Sequence, residues 1–164
     1  MKKIILLLMI IFCIRLDAQI NITSGNFNYK QDFNSLSNTG TSNTWTDNQT
    51  ILGWYSNRTI YRADYGASNT GAIYSYGNAD STERALGSVA SGSTNTIYYA
   101  ISFVNNSSEK ITQVSINFIG EQWRNGGNTS QHKLEFAYKI GTIDSLDSLA
   151  DMNFIPQSEL DFIS

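Results

Sequence analysis

An all-β fold, an antiparallel β-sandwich, is what this sequence predicts, and three observations carry the prediction. The chain from Asn95 to Ile140 writes a period-two hydrophobic alternation three times over, each run about the length of a strand. The links between runs are short and crowded with Asn, Ser, Thr and Gly, which favours strands turning back on one another over helical crossovers. Aromatic residues reach 12% while charged residues are only 15%, and weakly charged loops between aromatic strands fit an extracellular sandwich better than a disordered chain.

Taken in order, the chain begins with Lys2 and Lys3, an apolar run from Ile4 to Ile14, and then Arg15-Leu16-Asp17-Ala18. A charged start, a short apolar core and a small residue make a secretory signal peptide, because a spanning helix needs roughly twenty apolar residues. Cleavage after Ala18 leaves 146 residues, 19–164, enough for one domain and with no transmembrane segment of its own. Cys13 is the single cysteine and leaves with the leader, so the exported part contains no disulfide. Removing Lys2, Lys3 and Arg15 from the eleven bases and Asp17 from the fourteen acids leaves a net charge of −5. Nucleic acid is therefore not the expected partner, since phosphate binding needs clustered Lys and Arg.

Phe27 and Tyr29 alternate in a short opening strand, and a polar loop ordered by its aromatics runs to Trp45. Ile51, Leu52, Trp54 and Tyr55 form an apolar run, and Arg58, Ile60 and Arg62 alternate with Thr59 and Tyr61. Gly71 to Gly77 encloses Ile73, Tyr74 and Tyr76 between turns, and Ala85, Leu86 and Val89 write another strand. From Thr96 to Val104, the odd positions Ile97, Tyr99, Ile101 and Phe103 are expected to face the core. Val114, Ile116 and Phe118 repeat the pattern, as do Leu134, Phe136, Tyr138 and Ile140, so a three-stranded meander is expected. Ser145 to Met152 spaces Leu146, Leu149 and Met152 for a turn or two of helix.

Five segments together resemble a known kind of module: Gln31-Asp32-Phe33-Asn34-Ser35-Leu36, Asn69 to Gly77, Glu83-Arg84-Ala85-Leu86-Gly87-Ser88, Ile97-Tyr98-Tyr99, and Glu121-Gln122-Trp123-Arg124 followed by Asn125-Gly126-Gly127. Over most of Asn26 to Ser164 the chain is similar to an uncharacterised extracellular β-sandwich domain of secreted Bacteroidetes proteins and of bacterial proteins bearing sorting signals. The resemblance implies a jelly-roll-like sandwich on an exported or cell-surface protein, in a setting where nuclease, lamin-tail or sorting regions often follow. It names no activity. Members of that family continue beyond a segment like Leu160-Asp161-Phe162-Ile163-Ser164, so the resemblance implies a sandwich incomplete at its C-terminal end. Open edges and an uncovered apolar face are the structural consequence expected of such a chain.

Candidate chemistry gathers at Glu121, Trp123 and Arg124. An aromatic ring beside a carboxylate and a guanidinium suits a glycan, because the ring stacks on the apolar face of a sugar while the charged groups bond its hydroxyls. The competing reading packs Trp123 beneath a loop and pairs Glu121 and Arg124 with Arg84 or Glu83. Trp45, Trp54 and Tyr55 invite the same two readings. His132 is the single histidine, which leaves no histidine triad or multi-histidine metal site within the chain. A paired-carboxylate hydrolase built from Glu121, Glu135, Asp32 or Asp64 is the least favoured reading, since spacing alone cannot give a carboxyl separation. No cofactor is expected; calcium has abundant oxygen donors in the loops but no recognisable ligand spacing. Two function classes follow: a noncatalytic binding or adhesion module for a glycan or a cell-surface protein, and an accessory domain of a larger secreted enzyme such as a nuclease or hydrolase.

Overall fold

The computed structural model describes residues 19–127, 129–141, 149 and 153–164. The leader expected at 1–18 and, apart from Leu149, the helical turn expected within Ser145 to Met152 lie outside the described residues. The described strands are β1 (Ile20–Ile22), β2 (Asn43–Thr44), β3 (Trp54–Ser56), β4 (Ile60–Asp64), β5 (Ala72–Tyr76) and β6 (Ala85–Val89) in the first half. They continue with β7 (Tyr99–Ile101), β8 (Phe103–Asn105), β9 (Lys133–Leu134), β10 (Ala137–Tyr138), β11 (Ile155–Pro156) and β12 (Phe162–Ile163). No α-helix is found among the described residues, and most strand pairs are antiparallel. The chain is all-β and sandwich-like, as its sequence predicts.

The main sheet has the order β2-β4-β5-β6. Its inner face carries Tyr61, Ile73 and Leu86, which pack with Leu36, Trp45 and Ile51. Trp54 of β3, Tyr99 of β7 and the nearby Ile97 close over this cluster from the other side, giving the two layers of a sandwich. Ile73 is 0% exposed, and it sits on a strand whose other face is equally dry. That is why the Ala72–Tyr76 run has no exposed position to show as a polar alternation.

Parallel pairing is the first departure from expectation. β4 and β5 run parallel, Tyr61 opposite Ile73 through to Asp64 opposite Tyr76, although only the 65–71 link joins them. A seven-residue link reaches about 23 Å, enough to return along a five-residue strand of about 17 Å without a helix. Asp64 shapes its start, with Oδ1 accepting the N–H groups of Gly66 at 2.7 Å and Ser68 at 3.1 Å. The link then lies over the sheet's outer face, where the Tyr74 hydroxyl donates to the Thr70 carbonyl at 2.6 Å.

The expected strand from Thr96 to Val104 divides at Ser102. Below that point β7 pairs antiparallel with β3; above it β8 pairs parallel with β1. Ser102 makes the switch, donating its N–H to the Gly53 carbonyl at 3.0 Å while its own carbonyl accepts the Ile20 N–H at 2.8 Å. The odd face therefore does not stay in the core. Ile97 and Tyr99 join the main cluster, whereas Tyr98 and Ala100 pack on a second one around Tyr55 and Leu149, and Phe103 is 42% exposed. Phe27 and Tyr29 form no opening strand; their rings meet Phe103 edge-on at 6.3 and 5.5 Å.

The predicted meander is not formed. The 111–119 segment carries no strand pairing, β9 pairs with β12, and β10 pairs with β11. Val114, Ile116 and Phe118 are 70, 43 and 49% exposed, and Leu134, Tyr138 and Ile140 are exposed too, so these expected core faces lie open among the described residues. Alternation assigns side chains to faces, but it cannot supply the second layer that buries them.

Candidate functional site

The Glu121–Arg124 segment bridges the two halves of the described structure. On one side, the Phe162 ring lies so close to Gly120 that an added Cβ would fall 2.0 Å from it, and Gln122 Nε2 donates to Ser164 Oγ at 2.8 Å. On the other side, Trp123 and Arg124 dock on the main sheet. The bare backbone of Gly66, at φ +94°, admits the Trp123 carbonyl oxygen to within 1.9 Å of where a Cβ would stand.

Tyr74 and Tyr76, two residues apart on β5, project to the same outer face and stack at 4.9 Å with 12° between their planes. Trp123 continues this stack over Tyr76 at 6.0 Å and 3°. Gly87 makes room on β6, since a Cβ there would meet the Tyr76 ring at 2.8 Å. Arg124 Nη1 donates to the carbonyls of Gly66 at 3.1 Å and Ala67 at 2.9 Å, holding the segment against the link. Burial, reinforced by Tyr74 and Asp64, pushes the Tyr76 phenol well above its usual range, with Arg124 pulling the other way. Tyr76 therefore stays neutral at ordinary pH and acts as a platform.

Glu121 and Trp123 are joined directly, the indole Nε1 donating to Glu121 Oε2 at 2.7 Å. Glu121 is exposed, whereas Trp123 and Arg124 are half-buried. The structure thus joins Glu121 to Trp123, directs Arg124 to the Gly66 and Ala67 carbonyls, and corrects their expected partners. Arg84 is instead buried at 2% exposure, with Nε on Ser75 Oγ at 2.8 Å, Nη2 on the Ser75 carbonyl and Nη1 on the Asn78 carbonyl at 3.4 Å. Desolvation lowers its pKa, opposed by Glu83. Neither Glu121 nor Arg124 takes part in that network.

The other aromatic candidates are structural. Trp45 is 3% exposed with its indole on Asp47 at 2.8 Å, Trp54 meets the Phe33 ring edge-on at 5.0 Å, and Tyr55 is buried. The four carboxylates are engaged separately: Asp32 with the Asn34 N–H, Asp64 with its own link, Glu121 with Trp123, and Glu135 with Lys133 at 2.7 Å. Among the described residues, no group of three or more His, Cys, Asp or Glu side chains is placed to hold a metal ion. No helix among them is long and apolar enough to cross a membrane.

Tyr76, Tyr74 and Gly66 were not singled out as site residues by the sequence, and Asp64 was considered only as a hydrolase carboxylate. The i, i+2 spacing of the two tyrosines shows that they share a face, but their meeting with Trp123 is a contact between distant segments. Protein-family models, curated proteins and solved structures, when compared with this chain, give no match. Fold and site define an all-β, sandwich-like module with an aromatic platform on the outer face of its main sheet.

Proposed function

We propose that this chain is an exported, noncatalytic β-sandwich module that binds a glycan at Trp123, with Glu121 and Arg124 as flanking polar groups, in the secreted or cell-surface setting that its leader and its family resemblance imply. The observation that carries this reading is the half-buried Trp123 ring, held parallel to Tyr76 at 6.0 Å and bonded at its edge to the exposed Glu121. A ring fixed in this way loses little conformational freedom when a sugar face stacks on it. Glu121 offers acceptors and Arg124 donors to hydroxyls around that ring. Tyr74 and Tyr76 support the platform without themselves needing contact with the ligand.

The test is a glycan array followed by titration of the retained sugars. Trp123→Ala is expected to weaken binding about tenfold or more while circular dichroism stays native. Unchanged affinity in that variant, or no retained glycan on the array, rejects the reading. Mass spectrometry of the exported protein tests the leader: a mature chain beginning at Gln19 is expected.

A further inference from the structure

Away from Trp123, two adjoining depressions meet at Arg58. One, of about 360 Å³, is walled by Asn57, Arg58, Thr94, Asn95, Thr96 and Tyr98. The other, of about 240 Å³, runs along Arg58, Ile60, Arg62, Thr70 and Gly71. Neither wall contains an Asp or Glu, in a chain whose net charge is −3. The groove is thus a cationic place on an acidic protein.

Its walls are held by the fold. Asn57 bridges to the opposite segment, with Nδ2 donating to the Thr96 carbonyl and Oδ1 accepting the Tyr98 N–H, both at 2.9 Å. The turn containing Ser91 and Thr94 is seated on Gly71, where an added Cβ would fall 2.4 Å from Ser91 Oγ. Arg58 donates from Nη2 to the Thr94 carbonyl, and its Nε is a buried donor with no hydrogen-bond partner. The guanidinium is therefore positioned by a neutral oxygen, and its wall supplies no counter-charge. Arg62 lies four residues on, inside β4 and past a bend at Thr59, so the two backbone positions are up to about 13 Å apart.

We propose that the groove between Arg58 and Arg62 binds a uronate-type oligosaccharide, a sugar chain carrying repeated carboxylates. Planar carboxylates match guanidinium donors, and a repeated charge serves both arginines of the groove at once. The Thr and Asn side chains of the wall are suited to sugar hydroxyls. This site shares no lining residue with the Trp123 platform, which it meets where Tyr74 donates to the Thr70 carbonyl.

Calorimetric titration of the full chain with oligogalacturonate is expected to show saturable binding that weakens as salt rises. A neutral cello-oligosaccharide of equal length is expected to show none. Arg58→Gln and Arg62→Gln are each expected to weaken the uronate about tenfold, and Trp123→Ala to leave it unchanged, which distinguishes this groove from the platform. If Arg58→Gln does not fold, Arg62→Gln carries the test alone. Absence of uronate binding, equal binding of the neutral sugar, or unchanged affinity in Arg62→Gln overturns the proposal. Tighter binding of a sulfated galactan than of the uronate overturns its carboxylate chemistry.

Discussion

The Trp123 ring lies parallel to the Tyr76 ring, 6.0 Å away and 3° from coplanar orientation, although the two residues belong to segments far apart in the chain. Removing either member releases the other. Trp123→Ala is expected to cost about 1 kcal/mol of stability, the usual worth of an aromatic pair, read as a lowered urea midpoint with an unchanged slope.

Gly66 governs the same contact from the other side. Gly66→Ala places a methyl group at φ +94° and against the Trp123 carbonyl, so both strain and collision oppose it. The expected result is detachment of the 121–124 segment, seen as a red-shifted Trp123 fluorescence in a Trp45→Phe, Trp54→Phe background. An emission maximum unmoved by the glycine change would show that the docking tolerates a Cβ.

Ile73 and Ile119 make a matched pair for core and surface. Ile73 is 0% exposed and Ile119 is 90% exposed. Ile73→Ala is expected to cost about 2–5 kcal/mol through lost burial and a residual cavity. Ile119→Lys is expected to change stability by no more than about 0.5 kcal/mol and to reduce the binding of a hydrophobic dye, because it breaks the open apolar face of the 111–119 segment.

Arg84 is a buried cation whose donors all end on uncharged oxygens. Arg84→Ala strands Ser75 and the Asn78 carbonyl and leaves a void, with an expected loss of about 3 kcal/mol or more. Arg84→Lys is expected to rescue little, since one ammonium cannot reproduce the planar fork that reaches Ser75 and Asn78 together.

Alkaline pH should weaken the fold through Tyr99. Burial pushes its phenol up to about 12, with a Ser88 hydrogen bond acting in the opposite direction. The unfolded chain loses that proton near pH 10, so folded protein binds more protons between about pH 10 and 12. Stability is therefore full below about pH 10 and falls by about 1.4 kcal/mol per pH unit above it, until the folded phenol also ionises. Tyr76 shifts in the same direction. Denaturant midpoints measured from pH 8 to 11.5 check the slope, and Tyr99→Phe is expected to flatten it.

Much of the fold was legible where alternation and turn residues agreed. The run between Gly71 and Gly77 and the Ala85–Val89 run became adjacent strands of the main sheet. Glu121 and Trp123 are joined by a hydrogen bond, whereas Arg124 turns to the carbonyls of Gly66 and Ala67, partners that were not legible. Phe27 and Tyr29 write a strand pattern and instead cap Phe103, and the pattern at Val114, Ile116 and Phe118 gains no ladder at all. In each case, the local signal was satisfied by more than one environment, and contacts distant in sequence chose between them.

By itself, the sequence determined the all-β class and the aromatic strands that make the core. Only the tertiary structure decided that β4 and β5 run parallel, that Arg84 turns inward to Ser75, and that Tyr76 and Gly66 seat Trp123. The physical reason is that a period of two fixes which face a side chain occupies, whereas its partner depends on which distant segment pairs or packs there.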